Sequence, residues 1–343
     1  MNSAWQTYLQ NHNAVIEDDC IAHYGDASTE LKNTYSNTII VDLSHFGLIH
    51  FSGEDAATFL QGQLSCDVRK IDFFTAKYGS CCTPKGRMLA SFLIWQDDNG
   101  YFMQVPMTLL ITLENRLSMF VLRSKVKLTD DSNTNVRIGI AGNRSAEAVK
   151  EIFGAAPSPY LGVIHSEHGS ILCLAQNRFE IIATPKYAPK LWKHLRKYAL
   201  PVGKPCWEWL EVKAGIPIIT PATQERFVPQ MANLEAIGGI SFQKGCYPGQ
   251  EIVSRTQYLS KLKRRMYLAN IPTKEPVAAG DELYSDDRAK QSSGMIVNAA
   301  PSPEGGYDVL AVIQTESVEA EKIYWKTLNG PMLRIMPLPY LVK

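Results

Sequence analysis

The residues best able to do chemistry lie in one run, GGISFQKGCYPGQE at positions 238–251. Gly245 and Gly249 permit backbone angles closed to other residues and let a ligand approach the main chain. Pro248 suits the first residue of a helix over 250–258. Cys246 then stands just before a helix N-terminus and two residues after Lys244. Both features favour thiolate over thiol, so Cys246 has the setting of a nucleophile, a redox group or a soft metal ligand. Tyr247 is placed to stack on a flat group, and Gln250 and Glu251 fall in the first helical turn. The same spacing also suits a small, buried, apolar cysteine. Spacing alone leaves both readings open.

Other segments carry less. The turn GIAGNRS at 139–145 resembles a phosphate cradle but lacks a third glycine, so a strand-to-helix turn capped by Ser145 is the better reading. His165 and His168 lack the i, i+4 spacing of a zinc protease helix and read as a surface turn. Cys81 and Cys82 are adjacent on an expected strand and point to opposite faces, so at most one lines a site. The basic run 261–265 suits RNA phosphates, a polyglutamate tail or an acidic partner, or equally a solvated linker. No Ser/His/Asp triad motif, Walker loop or dinucleotide fingerprint occurs.

Strand-like runs at 38–52, 77–83, 88–96 and 101–105 must position these groups, with a short helix from 56 whose first turn holds Glu54 and Asp55. Residues 107–122 read as a helix burying Leu109, Leu113, Leu117 and Phe120. A second set follows: a strand from 136, a helix over 145–153, strands near 161–166, 170–175 and 178–183, and a helix over 187–199. From 263 onward, short strands alternate with Gly, Pro and Ser turns, as in a small β-barrel. The expected fold is α+β: two related α+β units, 1–135 and 136–262 with segments open to exchange between them, and a C-terminal antiparallel β-barrel over 263–343.

Composition narrows the function. At 343 residues with 45% hydrophobic content, the chain can bury proper cores. Its 35 basic and 34 acidic residues nearly cancel, unlike a dedicated nucleic-acid binder. The N-terminus lacks the pattern of a signal peptide, and no apolar run suits a membrane span. The seven cysteines are odd in number and show no C-x-x-C spacing, which suits a reducing, cytoplasmic setting. No four of them cluster to hold an iron–sulfur centre, and no resident metal is expected.

KGCYPGQE at 244–251 resembles the K-G-C-Y-x-G-Q-E signature of the YgfZ family, folate-binding relatives of the glycine-cleavage T-protein. The similarity extends over roughly 38–343. It includes GEDA at 53–56, FLQGQ at 59–63 with Asp67, CTPKGR at 82–87, LRSKV at 122–126, AGIP at 214–217, FVPQ at 227–230 and Asn233 with Leu234. The resemblance implies an aminomethyltransferase-like ring of three domains and a tetrahydrofolate or derivative as cofactor. It also implies partners among iron–sulfur enzymes or their assembly proteins, including tRNA-thiolating enzymes. Carried onto this chain, it assigns Cys246 and Lys244 to a functional thiol, with Cys246 as a transient metal ligand at most. It assigns Tyr247, Gly249, Gln250, Glu251, Arg255, Lys213 and Arg87 to folate. A one-carbon transferase on another substrate is the alternative. Direct tRNA binding through 261–265 and the 190–197 helix fits the local basic clusters but not the near-neutral total.

Two departures separate the chain from the T-protein. Where that enzyme has an acidic pair in G-G-x-x-D-D, this chain reads KGRMLA at 85–90, with Leu89 and Ala90. Where it has a pterin-gripping Glu in R-L-E-A-G, this chain has Lys213, which accepts no hydrogen bond. Without the carboxylates, stabilisation of the transferring centre is missing. Aminomethyl transfer with the lipoyl carrier of glycine cleavage is therefore expected to be absent, and Leu89→Asp alone should not restore it. Turnover comparable to a T-protein's in a purified assay would refute this.

Overall fold

The computed structural model describes residues 1–259, 262–288, 291–320 and 322–342. Chain contacts group into two compact units, each built from discontinuous stretches. The first takes residues 1–57, 69–77 and 93–207; the second takes 58–68, 78–92 and 208–343.

The first unit is built on a six-stranded sheet. Its order is Val163–Ser166, Gly169–Ala175, Arg178–Ala183, Val136–Ala141, Ile39–Asp42 and Leu200–Val202. Every neighbouring pair is antiparallel except the last. One face meets the helices Ser3–Gln10, Ser145–Phe153 and Ala188–Leu195 in a core of Trp5, Leu9, Ile138, Ile140, Ile181, Leu191, Trp192 and Leu195. The alternation Val136, Ile138, Ile140 turns Arg137 and Gly139 to the other face, as the two-residue period of a strand requires. The unit also holds the antiparallel ladder of Phe46–Ser52 between Gly100–Pro106 and Lys127–Asp130.

The N-terminal 35 residues, uninformative in sequence, are ordered as two helices around a short hairpin, Val15–Glu17 with Cys20–His23. Trp5 explains why. It is 1% exposed, and its indole Nε1 donates to Asp42 Oδ1 at 2.7 Å. Burial pushes the Asp42 carboxyl above its usual pKa, against the pull of Trp5, Ser44 and Arg137.

The second unit ends in an antiparallel sheet of six strands. Its order is Ile323–Trp325, Glu282–Ser285, Gly294–Pro301, Tyr307–Gln314, Arg264–Ile271 and Arg334–Met336. It curls into a half-barrel around Ile271, Leu283, Ile296, Val309, Ala311 and Trp325.

Several expected boundaries shift. The helix from 107 stops at Ser118, leaving Phe120 41% exposed beneath the Arg116 guanidinium instead of in the core. Glu54 and Asp55 precede the helix Ala56–Gln61; Asp55 accepts from the Lys125 amide and Glu54 pairs with Lys125 Nζ. Ser145 does not cap its helix. Its hydroxyl has no hydrogen-bond partner, and the Thr38 hydroxyl accepts from Arg144 N instead. Both His165 ring nitrogens are engaged, by Ser170 and by Phe73 O, and His168 sits in the hairpin turn as expected.

Trp5→Phe keeps the packing but takes one donor from a buried carboxylate. It should cost about 1–3 kcal/mol, read as a lower denaturation midpoint at unchanged slope.

Candidate functional site

In the second unit, the loop carrying Cys246 is fixed at both ends by backbone chemistry. At its start, Lys244 Nζ donates to three carbonyls: Gln61 O at 2.7 Å, Leu64 O at 2.6 Å and Cys66 O at 2.9 Å. Gln61 ends the short helix Ala56–Gln61, where carbonyls are left unpaired, and Leu64 and Cys66 lie just beyond it. At the loop's end, Gly249 has φ +83°, and a Cβ there would lie 2.4 Å from Thr83 O and 2.6 Å from Gly86 Cα. Gly86 is itself left-handed, at φ +69°, in the turn closed by Gly86 N donating to Thr83 O. The KGR turn and the PGQ turn therefore cross backbone against backbone. A Cβ at Gly245 would meet nothing within 4 Å, so the value of that glycine is not steric.

Between these anchors the side chains divide by exposure. Tyr247 is buried at 6% with the Lys244 ammonium 5.1 Å from its ring centre, so it packs the loop. Burial, with Cys82 and Cys66 nearby, pushes its hydroxyl pKa up. Gln250 braces the turn: its Oε1 accepts from Tyr247 N at 3.2 Å, and its Nε2 faces Lys244 O at 3.4 Å. The helix runs Gln250–Leu259, so Pro248 lies in the turn before it and not at its first residue. Glu251 and Arg255 are exposed on that helix.

Cys246 is exposed, whereas Cys66, Cys81, Cys82, Cys173 and Cys206 are buried. Cys82 is the contrast case: burial pushes its thiol up to about 11, against the Ser80 hydroxyl 3.5 Å away. The packing reading, open in sequence for Cys246, fits Cys82 instead.

The other assigned residues go elsewhere. Arg87 Nη1 donates to Arg226 O at 2.8 Å, tying the KGR turn to the segment before FVPQ. Lys213 Nζ lies 3.8 Å from Asp308 Oδ2, which also accepts from Trp209 Nε1. Leu89 and Ala90, at the positions of the T-protein's acidic pair, are 9% and 1% exposed. Of the basic run, Lys261 lies outside the described residues. Arg265 is committed to Glu235 and to Gln230 O, leaving Lys263 exposed. Among the described residues, no group of three His, Cys, Asp or Glu side chains could hold a metal ion.

A second constellation, in the first unit, escaped the sequence reading. On the sheet face opposite the apolar core, Arg137 donates through Nη2 to Phe46 O at 2.6 Å, and its Nε and Nη1 have no hydrogen-bond partner. Gln104 Nε2 donates to Glu180 Oε2 at 3.0 Å while Gln104 Oε1 has no donor. His45 is half-buried, and neither of its ring nitrogens is bonded. Burial, then the charges of Lys204 and Arg137, hold it neutral, well below its usual pKa. Trp207 packs flat enough on Gly139 that a Cβ there would lie 2.5 Å from its ring, and the Arg178 guanidinium lies 5.6 Å from its ring centre. Buried polar atoms of this kind ordinarily have partners. The signal was present: Arg137, Gln104 and Glu180 each interrupt an apolar strand run.

Comparison with known proteins gives the family and the fold. Residues 21–241 match the GCVT N-terminal domain. The tRNA-modifying protein YgfZ of Colwellia psychrerythraea is 33% identical over 249 residues, 72% of this chain and 76% of that one. Its counterpart in Sodalis glossinidius is 29% identical over 91% of this chain and 96% of its own. The chain belongs to the YgfZ family. The aminomethyltransferase T of the Bartonella henselae glycine cleavage system superposes with a TM-score of 0.78 at 14% identity, covering 99% of this chain and 97% of its own. This YgfZ member thus has the T-protein fold, and no helix among its described residues is long and apolar enough to cross a membrane.

The two loop glycines make a paired test. Gly249→Ala combines a left-handed residue with a backbone clash and should cost about 1–3 kcal/mol, whereas Gly245→Ala should be silent. Thermal melts of the two variants decide it; equal losses would overturn the crossing-turn account.

Proposed function

We propose that this protein binds a reduced folate and supports iron–sulfur enzymes, tRNA-modifying ones among them, through the thiol of Cys246. The observation that carries the reading is a single exposed cysteine on a loop that Lys244, Tyr247 and Gln250 hold in place. A thiol presented in this way suits transient contact with a partner's metal or disulfide. The relatives' name, tRNA-modifying protein, and the T-protein fold support the choice of clients and cofactor.

Folate fits the first unit better than the 244–251 loop. Tyr247 is buried, Gln250 is bonded within its own turn, and Lys213 faces Asp308. Gln104 Oε1 is an open acceptor and Arg137 Nη1 an open donor, which suit the amino and oxo groups of a pterin edge. Folate, when bound, would supply one-carbon carrying capacity. The residues here bind and orient it. The buried, apolar Leu89 and Ala90 weigh against the one-carbon transferase alternative.

Calorimetry with tetrahydrofolate should show binding, weakened about tenfold by Gln104→Leu, the worth of one hydrogen bond. Cys246→Ser should melt like the parent and retain folate, yet leave client enzymes near the activity of a deletion strain. Full client activity with this variant would end the functional reading of the thiol. Absence of folate binding would end the cofactor reading independently.

A further inference from the structure

Within the 261–265 run, Arg265 is already engaged by Glu235 and Gln230. The helix Ala188–Leu195 and the turn after it present a different picture. Lys190, Lys193, Arg196 and Lys197 are all exposed, and they line one groove of about 720 Å³ together with Tyr8, His12 and Pro189. Their spacing of three and four residues puts them along one side of a helix, spanning about 10 Å. Among the described residues, none of the four forms an ion pair; the nearby carboxylate of Glu151 is engaged by His194 and by the Tyr198 hydroxyl.

The groove's wall is aromatic and rigid. Tyr8 stacks on Trp5 at 5.4 Å and 12°, and its hydroxyl donates to Pro189 O at 3.2 Å. The His12 ring lies 4.3 Å from that of Tyr8, held by a 2.7 Å contact between its Nδ1 and Tyr8 O. The apolar residues of the helix, Leu191, Trp192 and Leu195, are buried in the core. No apolar face is left to enter a bilayer, as a membrane-surface helix requires.

We infer that this groove binds a single-stranded stretch of RNA. The four cations meet successive phosphates, and the His12 edge of the aromatic wall meets a base, the combination that single-strand binders use. The near-neutral total charge is compatible because the cations are local. The inference is independent of the folate and Cys246 readings.

The test is fluorescence anisotropy with a short, labelled single-stranded RNA and the full chain. With three or four phosphates contacted, raising salt from about 50 to about 200 mM should weaken binding roughly 20–50-fold. Lys193→Glu combined with Arg196→Glu should weaken it at least about tenfold and flatten the salt dependence. Both side chains are exposed, so melting temperature and folate binding should hold. Lys263→Glu should bind RNA as the parent does. Undiminished binding by the double variant would overturn the proposal, as would loss through Lys263→Glu alone. Tighter binding to a polyglutamate peptide or to phosphatidylserine vesicles than to RNA would also overturn it.

Discussion

One ammonium group with three backbone carbonyls around it holds the site loop together. Lys244 reaches Gln61, Leu64 and Cys66 of a segment far away in sequence, and the loop's other end is trapped where two left-handed glycines cross. Gln61 O, at the end of its helix, would otherwise need water or a cap. A charge shared among such acceptors is strongly held, because charged donors bond more strongly than neutral ones. The exposure of Cys246, the burial of Tyr247 and the bracing by Gln250 all depend on this clamp. Within the KGCYPGQE motif, Lys244 is therefore an anchor first.

The first unit has a matching logic on its sheet. One face is filled by indole and aliphatic side chains, and the other carries Arg137, Glu180 and, across the neighbouring ladder, Gln104. Burying such groups costs free energy unless they are paired. Arg137 Nη1 and Gln104 Oε1 remain without a hydrogen-bond partner there, and Gly139 leaves the room in which Trp207 lies.

Much of this was legible in the residues. Two-residue alternation located most of the longer strands, though not Lys127–Asp130 or Leu200–Val202, and the glycine, proline and cysteine run singled out the loop. What failed were properties set by distant partners. Phe120 fits a helical face, but the helix ends before it; Ser145 is a good cap by type, but Thr38 takes the amide. The role of Lys244 depends on carbonyls 178 to 183 positions away. Spacing cannot show that a tyrosine beside a cysteine will point inward. The cluster of Arg137, Gln104 and Glu180 was written as single polar interruptions, each unremarked because its partners lay on other strands.

The discontinuous make-up of the two units has a consequence for synthesis. The first unit is complete by residue 207, but the second needs 58–68 and 78–92 to wait for partners from 208 onward. A ribosome at about 5–20 residues per second needs roughly 10–50 s to add the rest. Through that interval Cys66, Cys81 and Cys82, shielded in the finished protein, lack their later partners. The nascent chain is thus at its most oxidisable when the mature one is least so, and it has most to gain then from a chaperone or a reducing surrounding.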